Sequence, residues 1–260
     1  MIYFSCCAVP ENAALVAKAG FDRIALPGSR VAAMEIESVS ALKAELDGLG
    51  LPCRSFNAFC PAQLKLVGPE FDAAKLADYS ARLAERAAIL GVEKLGVGSP
   101  NSRILPPDFD RARAMEQWRT ALRVISEAFR PAGIDVLAEP LCTLECNWMN
   151  KADEVAASVA HVGGVGMVYD MYHAFAMGED ADAMRRVMPL VRLVHIAHLV
   201  DGEKHYLRAE HCADCAPYFA VLREAGYAGE IAVEATFDAL DEALPRSNRL
   251  LRACADTKSA

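Results

Sequence analysis

The sequence predicts a single-domain α/β protein with the architecture of a (β/α)₈ barrel. Short apolar runs alternate with longer amphipathic segments, and this alternation occurs eight times along the chain. The short runs are continuous and rich in β-branched residues, as expected for parallel strands covered on both faces. The chain has 260 residues, close to the roughly 250 that one such barrel needs. We therefore predict a barrel domain over residues 1–255 and a disordered tail over residues 256–260.

Each predicted strand precedes a predicted helix. The strands are predicted over Ile2–Ser5, Asp22–Leu26, Cys53–Asn57, Lys94–Gly98, Asp135–Glu139, Gly166–Asp170, Arg192–Ala197 and Glu230–Glu234. The helices are predicted over Glu11–Ala19, Ser38–Leu49, Phe71–Leu90, Asp110–Ala128, Lys151–Val159, Asp182–Met188, Ala216–Ala225 and Leu240–Cys254. An open Rossmann-like sheet is the alternative fold, but Cys6-Cys7-Ala8 stands where its glycine-rich turn would be.

Four polar side chains lie at the ends of consecutive predicted strands. Glu139, Asp170 and Glu234 end the fifth, sixth and eighth strands, and His195 lies in the seventh. Active sites of such barrels form at the carboxyl ends of the strands, so these side chains should meet. Three adjacent carboxylates repel one another unless a cation or a proton is bound. We predict one divalent metal ion there, with Mn²⁺ as the first choice and Mg²⁺, Co²⁺ or Zn²⁺ as alternatives.

Two further polar residues follow the predicted strand ends. His173 lies three residues after Asp170, where it could bind a substrate oxygen, bind a second metal or simply cap the next helix. Glu145 lies six residues after Glu139, where it could accept a hydrogen bond from a substrate hydroxyl or form a loop salt bridge. Both positions are over the same rim of the predicted barrel.

Several segments of the chain resemble a known family. They are 138–150 (AEPLCTLECNWMN), 169–173 (YDMYH), 194–197 (VHIA), 233–234 (VE), 98–103 (GSPNSR) and 216–229 (APYFAVLREAGYAG). These segments resemble the xylose-isomerase-like barrel superfamily, and within it the sugar phosphate isomerase/epimerase group. That group includes ketose 3-epimerases, hydroxypyruvate isomerases and inosose dehydratases. The resemblance spans nearly the whole chain.

The resemblance implies roles for individual residues. Glu139, Asp170, His195 and Glu234 match its metal ligands, and Glu139 and Glu234 also match the pair that moves protons on opposite faces of the substrate. Glu145 and His173 match residues that hold substrate oxygens, and Arg208 is a looser match to a substrate-binding arginine. The chain departs from the family pattern at His198, where an acidic residue is common. It departs again in the loop 205–212 (HYLRAEHC), which in relatives helps to choose the substrate.

The resemblance thus implies a metal-dependent sugar isomerase or epimerase that moves a proton next to the carbonyl of a ketose-like substrate. The alternatives are an inosose-type dehydratase with the same metal site and a non-catalytic sugar-binding barrel. A net charge of −8 and only six histidines argue against a multi-zinc endonuclease acting on DNA and against nucleic-acid or membrane partners. We expect a keto sugar or polyol as the partner, a homodimer or homotetramer, and a cytoplasmic location.

The nine cysteines are expected to be free thiols in a chain of this size without an export signal. Cys212 and Cys215 form a Cys-x-x-Cys segment. No second pair with zinc spacing lies near it, so we interpret these two residues as thiols at the start of a helix.

Overall fold

A closed barrel of parallel strands forms the centre of the molecule. The computed structural model describes residues 1–237 and 239–256. Within those ranges, the barrel strands are β1 (Tyr3–Cys7), β2 (Arg23–Pro27), β3 (Cys53–Asn57), β4 (Lys94–Val97), β5 (Asp135–Ala138), β6 (Val165–Asp170), β7 (Val191–Ile196) and β10 (Glu230–Val233). They close in the order β1-β10-β7-β6-β5-β4-β3-β2. The predicted (β/α)₈ barrel is confirmed, with strand bounds shifted by no more than about two residues from those expected.

The helices surround the barrel in the expected order. They are α1 (Ala13–Lys18), α2 (Gly28–Ala32), α3 (Ile36–Gly48), α4 (Ala73–Leu90), α5 (Arg111–Phe129), α6 (Ala152–Val159), α7 (Met171–Met177), α8 (Ala181–Val187), α9 (Cys212–Glu224) and α10 (Leu240–Asp256). The short helices α2 and α7 were not predicted. An antiparallel hairpin of β8 (His198–Val200) and β9 (Glu203–His205) was also not predicted.

Side-chain caps set the ends of several helices. The Asp72 carboxylate accepts hydrogen bonds from the first backbone amides of α4, and Gly91 ends that helix with a φ of +74°. Helix α7 uses the same device on a smaller scale. Its N-cap is Asp170, whose Oδ1 accepts from the Tyr172 amide at 2.7 Å. Asp170 therefore starts a helix and still presents its second oxygen, Oδ2, to the rim of the barrel.

Two layers of apolar side chains stabilise the barrel. Leu137, Val168 and Leu193 come from the adjacent strands β5, β6 and β7 and form a small buried cluster of their own. A much larger cluster joins the strands to the helices and includes Trp118 and Leu122 of α5. This packing makes the barrel a rigid support for the loops at its carboxyl rim.

The prediction that the cysteines are free is wrong for one pair. Cys212 at the start of α9 and Cys254 near the end of α10 form a disulfide, with 5.7 Å between their Cα atoms. They are 42 residues apart in sequence, and only the packing of α10 against α9 brings them together. The other seven cysteines are free. Because Cys212 is bonded to Cys254, its sulfur is not available to form a metal-binding pair with Cys215, which is buried in α9.

The remaining features of the fold are the C-terminal end of α10 and the hydropathy of the helices. The predicted domain bounds stay a prediction: Asp256, the first residue of the predicted tail, is the last residue of α10, and 257–260 lie outside the described residues. No helix in the described ranges is both long enough and apolar enough to cross a membrane.

Candidate metal centre

Strand register brings the four predicted ligands to one place. Asp170 and His195 are direct partners across β6 and β7. Glu139 and Glu234 stand one residue beyond β5 and β10. Their backbone amides continue the strand ladder by donating to carbonyl oxygens of β4 and β7 at 3.3 and 3.2 Å. The backbone thus fixes all four side chains at the carboxyl rim, as the sequence predicted.

The four side chains meet in a compact, mostly buried cluster. One donor atom from each of Glu139, Asp170, His195 and Glu234 lies within 4.8 Å of the others. His195 Nδ1 is 2.9 Å from Glu139 Oε1 and 3.6 Å from Glu234 Oε2. His195 Nε2 is buried and has no hydrogen-bond partner among the described residues. The imidazole therefore turns Nδ1, not Nε2, toward the carboxylates.

Two residues that the sequence did not predict complete this cluster. Lys204 of β9 places its Nζ 2.8 Å from Asp170 Oδ2 and 2.5 Å from Glu234 Oε2. Asn57, the last residue of β3, donates from Nδ2 to Glu234 Oε1 at 2.7 Å. Both oxygens of Glu234 are therefore held in place by neighbouring side chains. The Asp201-Gly202 dipeptide between two short alternating runs is a hairpin signal that could have located β9, and with it Lys204.

The pKa shifts of the cluster reflect the close approach of its carboxylates to Lys204 and to imidazole side chains. Burial by itself raises the pKa of Glu234, but the Lys204 ammonium and His195 hold it well below its usual value. Burial also raises the pKa of Asp170, and Lys204 and His173 more than offset this. The pKa of His195 is lowered by burial but is raised well above its ordinary value by Glu234 and Glu139. Such shifts are typical of a buried anionic site that attracts positive charge.

The donor set fits one divalent ion. Ligands on opposite sides of a divalent cation are about 4–5 Å apart, which is compatible with four donor atoms that all lie within 4.8 Å of one another. Three carboxylate oxygens and one imidazole nitrogen suit Mn²⁺, Mg²⁺ or Co²⁺ better than a metal that prefers thiolates. The donors are held in place before any ion binds. Asp170 caps α7 and is the register partner of His195 across β6 and β7. Asn57 donates to Glu234.

Gly98 gives Glu139 the space that its carboxylate occupies. A Cβ atom built on Gly98 would overlap Glu139 Oε2. We expect Gly98→Ala to displace that carboxylate and lower the affinity for Mn²⁺ by about 10–100-fold. Because the overlapping atom is the end of a flexible side chain, the melting temperature should change little. Metal titration and thermal unfolding of the purified variant would check both expectations.

Gly163→Ala is the matched control for this test, since a Cβ there would meet no atom within 4 Å. Gly166→Ala provides the contrast. Its Cβ would lie 3.0 Å from the backbone oxygen of Leu190 and 2.9 Å from Leu137, so it should lower stability instead of metal affinity. Unchanged Mn²⁺ affinity in Gly98→Ala would contradict the prediction that the Glu139 carboxylate binds the metal from the space beside Gly98.

A second cluster lies beside the first and contains Cys142, Glu145 and His173. The Cys142 backbone amide donates to His173 Nδ1 at 3.1 Å. In a neutral imidazole, Nε2 then carries the proton and acts as a donor. That nitrogen lies 3.8 Å from Asp170 Oδ2, so it faces the main cluster. Of the two functional roles considered for His173, this arrangement favours a hydrogen bond to a substrate oxygen over a second metal site.

Comparison with known proteins places the chain in a family. The family model described as xylose isomerase-like TIM barrel matches residues 13–254. The chain belongs to the xylose isomerase-like TIM barrel family. No curated protein matched the chain.

Solved structures agree with the fold of this family member. D-psicose 3-epimerase from Clostridium cellulolyticum H10, crystallised with D-tagatose, superposes with a TM-score of 0.85 at 17% identity, covering 98% of this chain and 100% of that one. The 3-keto-D-glucoside 4-epimerase from E. coli gives 0.80 at 20% identity, with 98% and 100% covered. A family 2 AP endonuclease from Brucella melitensis gives 0.72 at 20% identity, with 93% and 95% covered. At such identities the likeness establishes the fold.

In this xylose isomerase-like barrel, the segment after β7 carries two candidate cations. Lys204 contacts the ligand carboxylates directly. Arg208 follows the hairpin, and its backbone amide donates to His211 Nδ1 at 3.2 Å. Within residues 1–237 and 239–256, no ion pair joins Arg208 to the four predicted ligands. Its predicted contact with a substrate stays a prediction, whereas the hairpin places Lys204 in the cluster.

Proposed function

We propose that this chain is a sugar isomerase or epimerase that depends on a divalent metal ion and moves a proton next to the carbonyl of a ketose-like substrate. The observation that carries the proposal is the position of Glu139 and Glu234. They project from β5 and β10, on either side of the β6–β7 pair, and both approach His195 Nδ1. Two carboxylates that approach one point from different strands can remove a proton and return one.

In the proposed reaction, one of Glu139 and Glu234 takes the proton from the carbon beside the carbonyl. The electron pair of the broken C–H bond moves into the carbonyl and gives an enediolate. The other carboxylate returns a proton to the opposite face for epimerisation, or a proton returns to the adjacent carbon for isomerisation. A divalent ion held by Glu139, Asp170, His195 and Glu234 would supply the Lewis acid that acidifies this C–H bond.

Glu145, His173 and Arg208 are the proposed substrate-binding residues. His173 presents an N–H donor toward the cluster, which suits a ketose hydroxyl or carbonyl oxygen. Glu145 lies beside it and is partly buried, with a carboxylate that can accept a hydrogen bond from a hydroxyl. Mn²⁺ is the ion we propose first, with Mg²⁺, Co²⁺ or Zn²⁺ as alternatives. The cytoplasmic location and the homodimeric or homotetrameric state stay predictions.

Isotope exchange tests the proposal directly. Purified protein loaded with Mn²⁺ is incubated in D₂O with a panel of ketoses, hydroxypyruvate and inososes. We expect deuterium at the carbon beside the carbonyl of at least one compound, together with an epimer or isomer of it. Loss of water from an inosose would instead identify the dehydratase alternative. Binding of a sugar without exchange in any compound would identify a non-catalytic binding barrel and refute the proposal.

A further inference from the structure

The hairpin after β7 holds Lys204 in a defined position. Its turn residues Asp201 and Gly202 have φ values of +52° and +84°, as in the two-residue turns that match the twist of a hairpin. The Tyr172 hydroxyl donates to the carbonyl oxygen of Gly202 at 3.4 Å. The Thr236 amide donates to the carbonyl oxygen of Lys204 at 3.0 Å. The backbone of the hairpin is thus fixed both at its turn and beside Lys204.

The side chain of Lys204 reaches inward from this hairpin. Its Nζ bridges Asp170 Oδ2 and Glu234 Oε2 and lies 5.0 Å from the centre of the Tyr172 ring. Only 18% of the side chain is exposed. A surface lysine would be far more exposed than this. The ammonium is therefore part of the cluster.

The charge of the cluster gives Lys204 a specific role. When the ion is bound, Glu139, Asp170 and Glu234 contribute three negative charges, and His195 contributes none because an imidazole that ligates a metal is neutral. One divalent ion offsets two of these charges and leaves one. Lys204 offsets the last, so a loaded cluster with Lys204 carries no net charge. Negative charge that develops on a substrate is stabilised better in a neutral buried site than in an anionic one.

We infer that Lys204 is a positioning residue whose positive charge offsets the third negative charge of the cluster. This charge speeds proton transfer and weakens metal binding. Lys204 acts through Asp170 and Glu234, whose oxygens it holds by hydrogen bonds. Its positive charge repels a divalent ion nearby and competes with that ion for lone pairs on the same oxygens. Its positive charge stabilises the negatively charged enediolate more than the neutral ketose. Lys204 should therefore affect the rate of the chemical step more than the affinity for substrate. This inference rests on the proposed function for its catalytic half only.

The effect of Lys204 on metal binding is tested without substrate. Mn²⁺ is titrated into metal-free protein, and free Mn²⁺ is followed by electron paramagnetic resonance. We expect Lys204→Met and Lys204→Gln to bind Mn²⁺ at least about tenfold more tightly than the unaltered protein, because a like charge has been removed. Lys94→Met is the control, since Lys94 begins β4 at the opposite end of the barrel. Circular dichroism of both Lys204 variants identifies any variant that does not fold.

The catalytic half uses a substrate found by isotope exchange. We expect the Lys204 variants, saturated with Mn²⁺, to lose about 10²–10³-fold in kcat while KM changes by no more than a few-fold. Equal or weaker Mn²⁺ binding in both variants would overturn the inference and leave Lys204 as a packing residue. Tighter Mn²⁺ binding with an unchanged kcat would overturn the inference that Lys204 speeds proton transfer. If no compound shows exchange, the proposed function fails, and the Mn²⁺ titration still decides the charge-offset role.

Discussion

Replacing Glu139 by Gln should lower turnover by about 10²–10⁴-fold while the fold is retained. The amide has nearly the shape of the carboxylate but cannot accept a proton from carbon. It also removes one negative charge from the predicted metal ligands. The rate of deuterium exchange at saturating Mn²⁺ measures the effect on proton transfer separately from any weaker metal binding.

Glu203→Gln is the matched control for this experiment. Glu203 lies on β9 at the same rim of the barrel, but 76% of its side chain is exposed. It should have a near-normal rate. If Glu139→Gln also retained a near-normal rate on a proven substrate, Glu139 would not be one of the two proton-transfer groups.

Replacing Glu230 by Ala should destabilise the protein by about 3–5 kcal/mol, because a buried ion pair loses one partner. Glu230 begins β10 at the opposite end of the barrel from the metal cluster and is fully buried. Its Oε1 accepts from the Ser5 and Ser55 hydroxyls at 2.7 and 2.5 Å. Its Oε2 lies 3.4 Å from Arg23 Nη1. The substitution would leave an arginine and two hydroxyls without these partners. Urea unfolding measures the change.

The control for Glu230 is another partner of the same arginine. Glu93 lies 3.6 Å from Arg23 Nη1, but 49% of its side chain is exposed. Glu93→Gln should cost less than about 1 kcal/mol, because exposed ion pairs contribute little. Similar losses for Glu93→Gln and Glu230→Ala would show that burial of the Glu230 carboxylate is not what makes it stabilising.

Much of the fold could be predicted from the sequence because it depends on local patterns. A parallel strand covered on both faces needs a short continuous apolar run, and β3 was predicted with its observed bounds, Cys53–Asn57. The short helix α7 was missed. Its N-cap, Asp170, is also the end of β6, so the strand pattern ran directly into the helix without a separate start signal. Helices of one or two turns provide too little periodicity to detect.

The residues of the candidate site also fall into those that the sequence predicts and those that it does not. Glu139, Asp170, His195 and Glu234 could be found because parallel strands in a closed barrel all end at one rim. A residue that follows a strand is therefore placed by counting along the chain. Asn57 ends a strand too, but an amide carries no charge that would mark it. Lys204 comes from a hairpin outside the barrel, and no barrel rule predicts where its ammonium lies.

Local sequence patterns were thus sufficient for the barrel, its strand order and the convergence of three carboxylates and an imidazole. Each of these follows from hydrophobic periodicity and chain direction. Tertiary packing alone decided that Lys204 reaches Asp170 and Glu234, that Asn57 holds Glu234 across 177 residues, and that Cys212 meets Cys254. Those contacts join side chains whose backbones become neighbours only after the barrel has closed and the helices have packed against it.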